Sequence, residues 1–287
     1  MILQRAARRA VQVVGQDSRL ARTARPIYAR ALSWLAQGHG IPWTINGTAF
    51  RINPDQRHRM GEHYDADVAA YLRTHIRPGS TCFDVGANVG VYALQFARWT
   101  GPGGRVVAFE PNPVAAATLR DHIRMNELAA SVEVVQAALA ERSGLRTLHM
   151  ADADGMSRLG TPNPEIAART SPVDVAVTTL DDYCGATCST PDWLLIDVEG
   201  FELAVLSGAR RTIARHRARL HVIVEMHPDA WNVAGWTRQA AEALLEELEL
   251  SAAPLSGQTD PLGTYGHVLL RPRSEIGRIA AAVTSCG

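Results

Sequence analysis

The chain has 287 residues, with 29 basic and 29 acidic side chains, a formal net charge of zero and 46% hydrophobic residues. It is long enough to bury a sizeable core without disulfide or metal staples, and its neutral balance advertises neither nucleic acid nor an anionic membrane as partner. All 29 cations are arginine, and the absence of lysine excludes a lysine base, a Schiff-base enzyme and a P-loop lysine.

Up to about residue 40 the pattern is Ala/Arg-rich and helical, and it stops at the breakers of 37-QGHGIP-42. The opening 1-MILQRAARRAVQVVGQ-16 has no continuous apolar h-region or small-residue cleavage site, so it reads as a solvated helix and not as a signal peptide. A basic amphipathic helix touching a membrane or a partner is the alternative. In 43-WTINGTAFRI-52 two alternating runs flank Asn46-Gly47, a dipeptide suited to a two-residue hairpin turn. A helix follows over about 64–76, closed by Pro78-Gly79. Residues 1–78 are therefore expected to form a helical and hairpin cap on a main domain at 79–287.

From residue 80 the chain alternates. Apolar runs at 81–85, 105–109, 132–135, 193–197 and 220–225 predict strands, and patterns at about 89–99, 113–126, 201–215 and 238–249 predict helices. Strands apolar on both faces belong in a doubly wound, mostly parallel sheet. The runs 145-LRTLHMAD-152 and 173-VDVAVTTLDDY-183, on either side of a Gly/Pro/Asn-rich stretch, predict extra strands and a loop that wall a substrate site. The segment 267-HVLLRP-272 predicts a final antiparallel strand reached through a loop at 254–263. No run of about 18 apolar residues occurs, so no transmembrane helix is expected. Cys82, Cys184, Cys188 and Cys286 lack metal-ligand spacing, with Cys184 and Cys188 flanking a Gly-Ala-Thr turn, and read as free thiols of a cytoplasmic protein.

Ligands of open α/β sheets sit outside the carboxyl ends of the strands. The stretch 81-TCFDVGANVGVYAL-94 ends its strand there: Gly86 and Gly90 admit a close backbone approach, and the next helix offers free N–H groups. In Gly86-Ala87-Asn88-Val89-Gly90 asparagine replaces the middle glycine of a dinucleotide fingerprint. Asp84 would also repel a pyrophosphate, so a ligand with a cationic amine and a sulfonium fits better. Glu110, ending 105-RVVAFEPNP-113 about 20 residues beyond Gly90, is placed to accept both hydroxyls of a ribose.

The ordered set FDVGANVG (83–90), FEPNP (109–113), Asn126 in 124-RMNEL-128, TLDDY (179–183), IDVEGFELAVLSGA (196–209) and VEMHP (224–228) resembles the FkbM-type S-adenosylmethionine-dependent methyltransferases. The resemblance covers about half the chain. It implies a class I methyltransferase (Rossmann-like) α/β fold, with a seven-stranded sheet whose last strand is antiparallel, and methyl transfer to a hydroxyl of a sugar or secondary metabolite. It places Asp84 and the turn Gly86, Ala87, Asn88 and Gly90 at the methionine part of the cofactor, Glu110 at its ribose, Asn112 beside it, and Gln136 and Ala137 by the adenine. One departure is plain: family members often carry lysine before Ile-Asp-Val-Glu-Gly, and Leu195 stands there in this chain.

The run 193-WLLIDVEGFE-202 leads a buried strand into Asp197 and Glu199, which is costly unless the carboxylates face a ligand or cap a helix. The next strand ends in Glu225 and His227, expected beside Asp197. With no lysine available, the acceptor hydroxyl must lose its proton to Asp197, Glu199, Glu225, His227 or water. Asp197, Glu199 and Glu225 can offer oxygen ligands to a divalent cation, but no dedicated cage is visible, so no metal is expected. The competing readings are an NAD(P)-dependent oxidoreductase and a non-catalytic binding module on the same fold. The expected partner is a small hydroxylated molecule, with a homo-oligomer allowed and no nucleic acid. Trp231, Trp236 and Tyr265 are candidates to stack on the acceptor.

Overall fold

The computed structural model describes residues 36, 38–151, 157–162 and 167–273. The helical reading of the first 35 residues, Cys286 and most of the loop tip at 152–166 lie outside the described residues. The N-terminal part opens on a hairpin, β1 (Ile41–Ile45) and β2 (Thr48–Ile52), paired antiparallel with Ile45 opposite Thr48. Its turn is made by Asn46 at φ 47° and Gly47 at φ 79°, the two positive values a type I′ turn needs. Helix α1 (Ala66–His75) follows and buries Val68, Ala69 and Leu72.

A seven-stranded sheet forms the centre of the molecule. It contains β3 (Thr81–Val85), β4 (Arg105–Phe109), β5 (Val132–Val135), β10 (Trp193–Ile196), β11 (His221–Met226), β12 (Leu250–Pro254) and β13 (Gly266–Pro272). Its order is β12-β13-β11-β10-β3-β4-β5, and β13 runs against both neighbours while the β11-β10-β3-β4-β5 pairings are parallel. The chain leaves β3 toward β4 on one side and returns to β10 on the other, which makes the β3/β10 boundary the switch point. Strand β12 was not visible as a strand in the sequence, because LSAAP offers little β-branched or aromatic signal and borrows its order from β13.

Successive residues of each strand enter opposite cores. Cys82, Val106, Ala108, Trp193, Leu195, Ile223 and Leu269 face one side, and Phe83, Val85, Val107, Leu194, Ile196, Val222 and Val224 the other. The first core also takes Ile45, Phe50 and Ile52 of the hairpin and Leu72 of α1, so the N-terminal elements and the sheet share one apolar cluster. Leu195, at the position of the family's lysine, is 1% exposed within that cluster.

Helices α2 (Val91–Thr100) and α3 (Pro113–Met125) follow β3 and β4. Asn126 caps α3 and fastens the hairpin to it: its Oδ1 accepts the Arg51 N–H at 2.8 Å, and its Nδ2 donates to the Arg51 carbonyl at 2.7 Å. The motif asparagine is therefore a structural clasp.

A second, four-stranded sheet of order β6-β9-β7-β8 stands over the carboxyl edge. It contains β6 (Ala138–Leu139), β7 (Gly144–Ala151), β8 (Arg158–Leu159) and β9 (Thr170–Thr178). The end of the second expected strand, 179-TLDDY-183, instead begins helix α4 (Leu180–Thr187), whose N-cap Thr179 accepts the Asp182 N–H at 2.9 Å. Cys184 and the Gly-Ala-Thr expected as a turn lie inside this helix, and Cys188 closes it in a left-handed conformation. Asp181 accepts the N–H groups of Arg211 and Thr212 at 2.8 and 2.7 Å, and so opens a new helix there. The expected single helix 201–215 is consequently two, α5 (Glu202–Ser207) and α6 (Arg210–His216). Helix α7 (Arg238–Glu247) completes the second face.

Candidate functional site

The carboxyl ends of β3, β4, β10 and β11 open into a cavity of about 360 Å³, within the size range of small-molecule sites. Asp84 is the penultimate residue of β3 and is 2% exposed. One of its oxygens accepts the Ala93 N–H, and among the described residues nothing bonds Oδ2. Burial, reinforced by the charge of Glu110, pushes its carboxyl up to about 7. A buried carboxylate with a vacant oxygen facing a cavity calls for a cationic or hydrogen-donating guest.

Gly86 follows at φ 88°. A Cβ at this position would overlap the backbone carbonyl oxygen of Asp197, so the two strand ends approach as closely as only glycine permits. Ala87 and Asn88 also line the cavity, Asn88 at φ 47° with its N–H donated to Glu110 Oε2 at 2.7 Å. Glu110 accepts a second N–H, from Asn112, on Oε1 at 2.8 Å. Burial lifts its carboxyl to about 7 against these two bonds.

Asn112 and Ala137 line the same space, Asn112 doubling as the N-cap of α3 through the Val114 and Ala115 N–H groups. Two expected members stand elsewhere. Gln136 is exposed and accepts from Arg120 at 3.1 Å, because the side chain after β5 points to the outer face of α3. Gly90 is not among the lining residues; a Cβ there would enter the Leu119 side chain, so this glycine serves helix packing.

Asp197, Glu199, Glu225 and His227 all line the same cavity, beyond the ends of β10 and β11. Asp197 is hydrogen-bonded to Glu225, and burial together with the Glu225 charge holds Asp197 well above the ordinary carboxylate range. Burial also works to raise Glu225, but hydrogen bonds from Asp197 and Tyr265 and the nearby His267 keep it low, so the pair holds one proton and Glu225 is the ionised partner. Glu199 sits in the left-handed region at φ 53°, a strained choice for this residue, and its Oε2 lies 3.7 Å from His227 Nε2. Its carboxyl is raised, chiefly by burial.

His227 is oriented by a residue the sequence reading did not name. Glu202, with no exposed surface at the start of α5, accepts His227 Nδ1–H at 2.8 Å, the Gly200 N–H at 2.7 Å and Trp231 Nε1–H at 2.9 Å. Burial alone would lower His227, but the bond to Glu202 and the charges of Glu202, Glu199 and Glu225 outweigh it and raise the imidazole to about 9. The signal for Glu202 was present in FELAVL, a carboxylate inside an apolar helical run. Trp231, expected as a stacking candidate, is 2% exposed and belongs to this support; Tyr265 stands at the cavity, its ring 5.2 Å from that of His227. Trp236 lies apart, partly buried against the core.

Arg59, Tyr64 and Asp65 also line the cavity, bringing in the segment before the sheet, and Tyr92 of α2 joins them. Asp65 precedes α1 at φ 40° without capping it, and accepts from Tyr92 Oη at 3.1 Å instead. Leu148, Ala151 and Leu159 of the small sheet, with Ser157 just before β8, line the cavity as well.

A seven-stranded sheet of this order with one reversed strand, a glycine turn after its first strand and an acidic residue ending the second, defines the class I methyltransferase fold. Residues 84–252 match the family described as the methyltransferase FkbM domain. This chain belongs to that family, whose methyl donor is S-adenosylmethionine. The 31-O-demethyl-FK506 methyltransferase FkbM of Streptomyces tacrolimicus is 41% identical over 102 residues, 34% of this chain and 37% of that protein. The match thus spans little more than a third of that relative. The methyltransferase sdnD of Sordaria araneosa is 28% identical over 191 residues, 57% of this chain and 71% of that protein. Among solved structures, methyltransferase FkbM from Methylobacillus flagellatus KT is similar at 18% identity and a TM-score of 0.45, over 70% of this chain and 50% of that one.

Proposed function

We propose that this chain transfers a methyl group from S-adenosylmethionine to a hydroxyl of a small acceptor such as a sugar or secondary metabolite. The observation that carries the reading is the unpartnered, buried Oδ2 of Asp84 in a cavity that is also lined by Asp197, Glu199, Glu225 and His227. Asp84 and the Gly86–Asn88 turn would hold the donor's methionine part, and Glu110 its ribose. A dinucleotide would bring a pyrophosphate against Asp84, which disfavours the oxidoreductase alternative.

When bound, the donor supplies a methyl group already activated on a sulfonium. The acceptor oxygen takes the methyl carbon as the bond to sulfur breaks and the electron pair stays on sulfur, which leaves one proton for the protein to accept. His227 already carries its proton at neutral pH and cannot serve. Asp197 and Glu225 satisfy each other, so they orient the acceptor hydroxyl. Glu199 is the remaining carboxylate: it stands outside that pair, and burial raises it above a surface glutamate although the charges of His227 and Arg158 work to lower it. His227 then stabilises Glu199 and fixes its direction. Alignment of the acceptor supplies the rest of the acceleration.

The test is calorimetry of S-adenosylmethionine binding, followed by transfer of a tritiated methyl group to a panel of free sugars, glycosides and hydroxylated macrolides. Glu199→Gln should lower turnover by roughly 10²- to 10⁴-fold while cofactor affinity stays within about twofold. No binding heat rejects the activity, and a fully active variant rejects Glu199 as base.

A further inference from the structure

Asp197, Glu225 and His227 each offer one ligand atom, all within 4.8 Å of one another, at adjacent strand ends where the acceptor must lie. We infer that these three side chains form a binding site for a divalent first-row cation of the Mn²⁺ type, which engages the acceptor oxygen. The inference rests on the methyltransferase reading only for what the cation would do, not for whether it binds.

The donor set comprises two carboxylate oxygens and one imidazole nitrogen. Carboxylates alone suit Mg²⁺ or Ca²⁺, whereas imidazole moves the preference to first-row metals, and the mixture points to Mn²⁺ ahead of Mg²⁺. Three protein ligands leave positions for water or an acceptor oxygen.

A second observation, outside the donor set, points to the same occupant. Glu202 is fully buried in α5 and takes Nδ1–H of His227, which fixes the imidazole ring and leaves Nε2 as the atom turned toward the cavity. This is the carboxylate–histidine arrangement that supports metal ligands, raising the basicity of the ligating nitrogen. Gly200 and Trp231 hold Glu202 in turn, so the acceptor that fixes the ring is itself held in place. The charge balance agrees: Asp65, Asp84, Glu110, Asp197, Glu199 and Glu225 line the cavity against Arg59 and His227. A bound amine and sulfonium would offset part of this charge and leave carboxylates in excess.

Ligand bonds of about 2.1 Å place adjacent donors about 3 Å apart, so loading draws the three side chains together. An acceptor hydroxyl bound to the cation becomes more acidic, and Glu199, outside the ligand set, receives its proton.

The experiment is Mn²⁺ titration of the purified full chain, followed by the electron paramagnetic resonance signal of free Mn²⁺, without cofactor or acceptor. One ion per chain should bind, and Mg²⁺ should compete only in large excess. Asp197→Asn and His227→Gln should each remove the site, and Glu202→Gln should weaken it about 10- to 100-fold. Glu199→Gln should retain it. Unchanged S-adenosylmethionine binding and circular dichroism report that each variant is folded. Absence of a stoichiometric ion in the wild-type chain at millimolar Mn²⁺, or equal binding by the folded Asp197→Asn and His227→Gln variants, overturns the inference. Neither result bears on methyl transfer, whose own failure is read in the cofactor and tritium assays.

Discussion

Replacing Asp84 by asparagine should make the protein more stable and a poorer binder of its cofactor. The carboxyl is 2% exposed and its Oδ2 has no partner among the described residues. Its rise from 3.8 to about 7 means that the fold prefers the protonated form. The sign follows from that rise: the penalty is absent below the ordinary value, grows as pH increases, and reaches its full size above about 7, where it amounts to about 4 kcal/mol. Asparagine keeps an oxygen for the Ala93 N–H but adds an amide donor without a partner, which returns about 1–3 kcal/mol. The net gain at pH 8 is therefore about 1–3 kcal/mol, or a melting temperature several degrees higher. Binding moves the other way, because a charge-assisted hydrogen bond is lost. That costs about 1.5–3 kcal/mol, roughly 10- to 150-fold in Kd. Urea denaturation and calorimetry with S-adenosylmethionine read the two effects separately. Unchanged Kd would remove Asp84 from the cofactor site, and a variant less stable by more than about 1 kcal/mol would refute the account of an uncompensated buried charge.

Two further outcomes follow from the same half of the site. Cofactor affinity should be level above pH 8 and fall by up to about tenfold per pH unit below 7, since a cationic guest binds the ionised form of Asp84; a flat profile from 8 to 6 contradicts this. Calorimetry in buffers of different ionisation heat should show proton release on binding at pH 6. Gly86→Ala combines a positive φ with a Cβ inside the Asp197 carbonyl and should destabilise by about 2–5 kcal/mol; a loss under about 1 kcal/mol in urea would show that the strand ends can part.

Where the sequence was readable, one physical signal stood alone. The parallel strands declared themselves because both faces are buried, so Trp193–Ile196 and Arg105–Phe109 are nearly continuous apolar runs. Asn46-Gly47 could hardly be anything but a hairpin turn. Misreadings arose where two signals overlapped. The TLDDY motif looks like the end of a strand, yet Thr179 and the acids after it are what a helix N-terminus wants, and α4 begins there. The chain from 201 to 215 has helical periodicity throughout, but Gly208 packs where a Cβ would meet the Ala140 carbonyl, and Asp181 reaches from another helix to start a new one. That break is tertiary and leaves no local mark.

The same distinction divides the site. Asp84, Gly86 and Asn88 stand almost consecutively, so they could be found by spacing, and Glu110 by its strand end. Even there Gly90 and Gln136 shared the motif neighbourhood without facing the cavity, because adjacency in sequence does not fix direction. The rest of the cavity lining is assembled across the fold: Asp65 comes from before the first central strand, Glu199 from a strained turn, and Tyr265 from the loop before the reversed strand. What organises it is a buried glutamate. Glu202 touches no cavity surface, yet through His227 it determines that the imidazole is a fixed charged group or a ligand and not a free base. A histidine before a proline carries no sign of such a partner. Its chemistry is decided 25 residues upstream, by a carboxylate that the first turn of α5 turns inward.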